Sequence, residues 1–226
     1  MNAIILAAGM GTRLRPLTND IPKCLVPVLG VPMVERQIQF LLDAGITDIT
    51  LVSGYKGERL DYLKEKYGVS IVRNPKFDVC NNIYSIYSVK ERLGDTYVIE
   101  GDVFMNANCF LLRPEVSTYY SVWKDDFVNE WGLTVDKDNR LQEIKVGRVK
   151  GFIMSGISYW TAEDSLKIID RIEDIIAHED YTNLFWDNAV IDIYQSLNIK
   201  VQRFDDIYEI DTELELRSLE AKLIAI

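Results

Sequence analysis

From Leu6 to Lys23 the chain reads LAAGMGTRLRPLTNDIPK, and the residues able to do chemistry there are Gly9, Gly11, Arg13, Arg15 and Lys23. Glycines that follow an apolar run let backbone N–H groups come close to an anion, and neighbouring cations neutralise it. Up to Lys23 the sole acid is Asp20, so a positive island opens a chain whose formal net charge is −10. The combination asks for a small anion. It argues against nucleic acid, whose phosphate backbone needs a broad basic face.

Three phosphate-binding readings compete. A Gly-Lys-Ser/Thr loop is excluded, because Thr12 and Arg13 follow Gly11. A dinucleotide fingerprint needs a third glycine where Leu14 stands. What remains is a nucleoside triphosphate on a glycine loop, its charge met by Arg13 and Lys23, with Arg15 the more dispensable arginine. A tight turn carrying solvated arginines is the bland alternative.

The surrounding elements must place this loop at the edge of a sheet. Ala3 to Leu6 reads as a strand buried on both faces, Pro32 to Leu42 as an amphipathic helix, Ile49 to Val52 as a second strand, and Gly57 to Tyr67 as a second helix. A third strand starts at GVSIV, a helix covers Asn81 to Leu93, and DTYVIEGDVF supplies a fourth strand ending at Gly101 and Asp102. This alternation predicts an α/β fold with a Rossmann-like, mostly parallel sheet flanked by helices. Residues of about 113–161 are rich in β-branched and aromatic types and turn at Asp136 to Asn139, which predicts a strand-rich insertion over the sheet's carboxyl edge. Helices at Glu163 to Ala177 and Phe185 to Leu197, a strand at Ile199 to Phe204 and a helix from Thr212 complete a single domain over 1–226.

The Leu6 to Lys23 stretch meets in full a pattern, L-A-A-G-x-G-T-R-L-x-P-L-T-x-x-x-P-K, that resembles the signature of the nucleotidyltransferase superfamily. Segments downstream are similar to the CTP:phosphocholine cytidylyltransferases of bacterial surface decoration: DYLKEKYGV from Asp61, CNNIYSIYSVKE from Cys80, NEW from Asn129, SGISYW from Ser155, FWDN from Phe185 and IYEIDT from Ile207. The resemblance implies a GT-A-like fold and a magnesium-dependent, in-line attack by phosphocholine on the α-phosphate of CTP. Positioning and charge neutralisation carry most of such a reaction, so no general base is obligatory. The lone histidine, His178, sits in a polar AHEDY stretch and is expected at the surface.

For the nucleotide, the resemblance points to the backbone of Leu6, Ala7, Ala8 and Gly9, to Gly11, Thr12, Arg13 and Lys23, and to Asn82 and Ser85. The last two stand near a helix start and could equally cap it. Magnesium prefers carboxylate oxygens. Asp102 ends a core strand at the glycine-loop edge, and Glu209 and Asp211 alternate with Tyr208 and Ile210, so both face one way in an extended segment. By resemblance they join Asp102 at the metal, although Asp211 could simply cap the last helix. Arg13, Lys23 and Asp102 are the expected catalytic residues.

A quaternary ammonium has no hydrogen to donate and is held by ring faces and carboxylates. Trp131, Tyr159, Phe185 and Trp186, with Glu130 and Asp187 beside them, are the candidates. Each could instead be core. Phe185 stands where the resemblance would put a tyrosine. Phosphoethanolamine or 2-aminoethylphosphonate would enter the same place; a hexose 1-phosphate would need polar groups where rings stand, and a non-catalytic sensor would have lost the cations or acids that are present. Cys24, Cys80 and Cys109 show no paired spacing, no apolar run reaches membrane-spanning length, and the start lacks signal-peptide features, so a cytoplasmic protein without membrane insertion is expected, as monomer or homodimer.

Overall fold

The computed structural model describes residues 1–111 and 113–225; the side chains of Asn129, within the Asn129 to Trp131 segment, and of Arg148 and Val149 also lie outside the described set. In chain order the elements are β1 (Asn2–Ala7), β2 (Pro27–Val28), β3 (Val31–Pro32), α1 (Met33–Asp43), β4 (Ile49–Ser53), α2 (Tyr62–Tyr67), β5 (Ser70–Arg73) and α3 (Ile83–Tyr87). There follow β6 (Thr96–Glu100), β7 (Val103–Met105), β8 (Ser117–Val135), β9 (Leu141–Trp160), α4 (Ala162–His178), α5 (Trp186–Ile193), β10 (Ile199–Arg203), β11 (Ile207–Glu209) and α6 (Glu213–Ile224).

A seven-stranded sheet runs in the order β10-β8-β9-β6-β1-β4-β5. β1 pairs in parallel with β4 and β6, β5 joins β4 in parallel, and β10 lies parallel to β8; β9 is the antiparallel strand wedged between β6 and β8. The chain therefore has the mostly parallel α/β fold that its alternation predicts. Three of the expected helices are broken, with 3-10 turns at Gly57–Leu60, Lys90–Arg92 and Tyr194–Ser196; Asp61 stays right-handed between the first turn and α2, whereas Val89 at φ −133° and Ile193 at φ −123° leave the helical path.

Each face of the sheet buries its own core. Ala3, Ile5, Ile99 and Tyr97 pack with Val34, Ile38 and Leu41 of α1, while Ile4, Leu6 and Val98 pack with Ile83, Ile86, Ile168, Ile172 and Val190 on the other side. Alternate residues of one strand thus feed opposite cores, which is why β1 reads as a continuous apolar run. α6 begins at a capping box in which the Thr212 hydroxyl accepts from Glu215 N–H and the Glu215 carboxylate accepts from Thr212 N–H.

The stretch predicted as an insertion is continuous with the sheet. Thr118 to Tyr120 pair with Ile157 to Tyr159 inside it, and the chain beyond folds back so that Leu133 pairs with Phe152 on one side and Ile144 on the other. This fold-back fills the space past the end of β6 and carries Glu130 and Trp131 to the sheet's carboxyl edge. Among the described residues no helix is long and apolar enough to cross a membrane.

Candidate active site

The carboxyl ends of β1 and β6 meet at a cleft of two adjoining hollows, of about 290 and 510 Å³. Ligands of open α/β sheets bind at this edge. The smaller hollow is lined by Leu6, Ala7, Ala8, Gly9, Gly11, Thr12, Arg13 and Lys23, and by Asn82 and Ser85 from across the cleft. Gly11 is left-handed at φ 58°, and a Cβ there would stand 2.8 Å from Lys23 Cβ. Thr18 fastens the turn by donating its hydroxyl to Gly11 O at 2.7 Å. No atom lies within 4 Å of where a Cβ would stand on Gly9, so that backbone is open to a ligand.

Lys23 and Arg13 converge on the acids. The Lys23 ammonium donates to Asp102 and, at 2.6 Å, to Asp211 Oδ1; Arg13 Nη2 reaches the same Asp211 oxygen at 2.9 Å. Burial alone would lower the Lys23 pKa, but Asp102 and Asp211 outweigh it and hold the ammonium charged above its usual range. Asp102, Glu209 and Asp211 bring carboxylate oxygens within 4.8 Å of one another, a hard-oxygen set whose chemistry fits a divalent cation. β7 and β11 hold this cluster together by pairing Val103 with Glu209.

The larger hollow carries Glu130, Trp131, Phe185, Trp186 and Asp187. The Trp131 and Phe185 rings meet edge-on with centroids 6.0 Å apart. Trp186 is buried and its ring packs edge-on against Trp160 at 5.8 Å. Asp187 accepts the Tyr119 hydroxyl at 3.0 Å, and its loss of solvent pushes its pKa up to about 7. Glu209 is exposed along the cleft, yet its carboxyl stands recessed beside Asp102 and Asp211; desolvation first and those charges second push it up to about 7.

Tyr159 does not join this set, and the expectation that it contacts the acceptor is corrected. Its ring packs with Tyr97 at 5.2 Å in the opposite core, and its hydroxyl donates to Asp95. The reason is the two-residue period of β9, which sends Tyr159 and Trp160 to opposite faces. In the Ser155 to Trp160 segment it is Gly156, Ile157 and Ser158 that line the hollow.

Asn82 and Ser85 line the nucleotide side but have structural bonds as well. Ser85 Oγ accepts from Asn74 Nδ2 at 3.0 Å, and Asn82 uses both ends of its amide, giving Nδ2–H to Glu100 and accepting Trp186 N–H. Glu100 is a residue that sequence reasoning missed. Its carboxyl forms part of the floor of both hollows; desolvation, then the charges of Asp102, Asp187 and Glu209, push its pKa well above the carboxylate range. An acid closing a buried strand, two residues before Asp102, was the available signal.

A family model described as nucleotidyl transferase matches residues 2–109. The chain is 46% identical to the choline-phosphate cytidylyltransferase of Streptococcus pneumoniae over 97% of each chain. It is 34% identical to the 2-aminoethylphosphonate cytidylyltransferase of Lancefieldella rimae, over 97% of this chain and 92% of that one. A solved structure of the CTP:phosphocholine cytidylyltransferase from Streptococcus pneumoniae superposes with a TM-score of 0.96 at 45% identity, covering 98% of both chains. With its glycine loop, convergent cations and acids matched by relatives along nearly its whole length, the chain belongs to the nucleotidyltransferase superfamily, in its choline-phosphate cytidylyltransferase-like branch.

Proposed function

We propose that the protein transfers CMP from CTP to phosphocholine, giving CDP-choline and pyrophosphate. A phosphate oxygen of phosphocholine forms the new bond to the α-phosphorus while the bond to the β-phosphate oxygen breaks, and the electron pair leaves with pyrophosphate. The observation that carries this reading is the continuity of the two hollows: Arg13, Asn82, Glu100, Asp102, Phe185 and Asp211 line both. Two substrates bound side by side there have their reacting groups next to Arg13 and Lys23.

In this reading the turn from Leu6 to Gly11 offers backbone N–H groups to the nucleotide, and Arg13 and Lys23 neutralise charge on the phosphates as it shifts toward the leaving group. Asp102, Glu209 and Asp211 would hold a magnesium ion, which when bound neutralises and orients the phosphates. Trp131 and Phe185 present ring surface to the trimethylammonium group, and Asp187 and Glu130 complement its charge. A CTP-consuming reaction of this kind belongs in the cytoplasm.

The second reading is 2-aminoethylphosphonate as acceptor, favoured by the same acids, which could accept hydrogen bonds from a primary ammonium. The paired rings favour the quaternary group, which has no hydrogen to give. Pyrophosphate release with CTP and magnesium, measured against phosphocholine, phosphoethanolamine, 2-aminoethylphosphonate and glucose 1-phosphate, tests the proposal. Phosphocholine is expected to give the highest kcat/KM; a preference for the aminophosphonate would establish the second reading.

A further inference from the structure

Asn82 bridges Glu100 and Trp186 at the wall between the two hollows. Asn82 Nδ2 donates to Glu100 Oε1 at 2.9 Å and Asn82 Oδ1 accepts from Trp186 N at 2.8 Å, so one amide joins the two. The three residues come from different elements: Asn82 immediately precedes α3, Glu100 ends β6, and Trp186 opens α5.

Trp186 N is one of the N–H groups that the first turn of α5 cannot satisfy within the helix. Asn82 supplies the missing acceptor, so the start of the helix that carries Asp187 is tied to a side chain lining the nucleotide hollow. Two further bonds link the same segments: Asn81 N donates to Thr182 O at 2.9 Å, and Lys76 Nζ to the Tyr181 hydroxyl at 2.7 Å. The floor is equally constrained. Gly156, left-handed at φ 78°, lets β9 pass under Glu100, where a Cβ would stand 3.1 Å from Glu100 Cβ and 2.8 Å from Val103 Cγ2.

We infer that Asn82 and Glu100 are positioning residues that couple the two substrate sites, so that nucleotide held against Asn82 fixes the start of α5 and with it the Trp186 and Asp187 wall of the acceptor hollow. Asn82 keeps one amide hydrogen beyond its bond to Glu100, and that hydrogen is available to the nucleotide. A ligand that immobilises the amide removes freedom that the acceptor would otherwise have to remove when it binds, which produces positive coupling without any large movement. The coupling is reciprocal: acceptor tightens nucleotide by the same factor.

This inference rests on the two-substrate reading above, and its test separates the two. Phosphocholine binding is measured by calorimetry in the presence of magnesium, with and without saturating α,β-methylene-CTP, a non-transferable analogue. For the natural protein the analogue should tighten phosphocholine about tenfold, within the usual span of such couplings. Asn82→Ala should reduce that factor to less than about twofold in the folded variant. Asn82→Asp serves the same purpose should the alanine variant not fold, since it keeps an acceptor for Trp186 N but has no donor for Glu100. Glu100→Gln keeps an acceptor for the Asn82 amide and should retain the coupling. Coupling near one in the natural protein, undiminished coupling in the folded Asn82 variant, or its loss in Glu100→Gln would each overturn the inference. Failure of the natural protein to turn over CTP with phosphocholine would instead overturn the reading on which it rests.

Discussion

Lys23 Nζ lies 2.6 Å from Asp211 Oδ1 and bonds Asp102 as well, so one ammonium spans two acids whose positions are far apart in the chain. The glycine loop, the end of β6 and the segment before α6 are drawn together at this point. Removing the ammonium takes positive charge from the place where the phosphates are proposed to lie. Lys23→Ala is expected to lower kcat by about 10²- to 10³-fold, the usual cost of losing one preorganised charge partner. Its melting temperature should change by only a few degrees, because Asp102 and Asp211 keep access to solvent from the cleft. Near-normal turnover would contradict the assigned role.

The proposed metal dependence can be tested on the donor set. With Asp102, Glu209 and Asp211 as the only cluster of its kind among the described residues, chelation should abolish turnover and added magnesium restore it. Asp102→Ala should remain inactive at any magnesium concentration. Full activity in excess chelator would remove the metal from the account.

Gly11 tests the loop itself. At φ 58°, with Lys23 Cβ in the way of a side chain, Gly11→Ala is expected to cost about 1–3 kcal/mol in backbone strain and to displace Lys23. A lower melting temperature together with a raised KM for CTP is the expected pair of results. An unchanged KM would mean that the turn does not set the position of Lys23.

Trp131→Ala separates the two hollows. Losing one ring from around a quaternary ammonium costs about 1–2 kcal/mol, so the KM for phosphocholine should rise roughly 5- to 30-fold. The KM for CTP should stay within about twofold, since Trp131 lines only the larger of the two hollows. Equal changes in both constants would argue against a ring contact with the acceptor.

Asp187 predicts a pH dependence. Desolvation pushes its pKa up to about 7, so it is mostly neutral at about pH 6 and ionised at about pH 8. A cationic acceptor prefers the ionised form, so kcat/KM for phosphocholine should rise across that interval, and more steeply in the natural protein than in Asp187→Asn. The stability effect has the opposite sign. A carboxyl whose folded pKa exceeds its unfolded value of about 4 costs stability as pH rises above that value, fully so beyond the folded one. Asp187→Asn should therefore melt higher than the natural protein at about pH 8 and show no such advantage at about pH 4. Parallel pH profiles would show that Asp187 does not face the acceptor.

Local pattern carried much of this. The Leu6 to Lys23 stretch could be read because its glycines, cations and prolines are consecutive and their spacing excludes rival phosphate loops. The parallel sheet followed from buried apolar strands alternating with amphipathic helices. Contacts across the sheet were harder. Tyr159 was a ring candidate, but the strict alternation of β9 sends it into the core opposite Trp160, and neither ring lines the cleft. Glu100 looked like the polar end of a strand, and its importance comes from Asn82, which reaches it only after α3 has packed and which also accepts from Trp186 N of α5. Trp131 reaches the cleft because β8 folds back against β9; composition and the turn at Asp136 to Asn139 announced strands there, but not their shifted register. Gly156 had a legible cue, a glycine inside a strand pattern, which commonly marks a bulge or a close approach.

The identity of the acceptor decides what the enzyme makes. The most direct measurement is kcat/KM with CTP and magnesium for phosphocholine against 2-aminoethylphosphonate, with the nucleotide product identified by phosphorus NMR. CDP-choline and pyrophosphate are expected in equal amounts, with at least about a tenfold preference for phosphocholine, the factor that about 1.4 kcal/mol of ring contact would give. A preference for the aminophosphonate, or no CTP turnover with phosphocholine, would contradict the proposed acceptor.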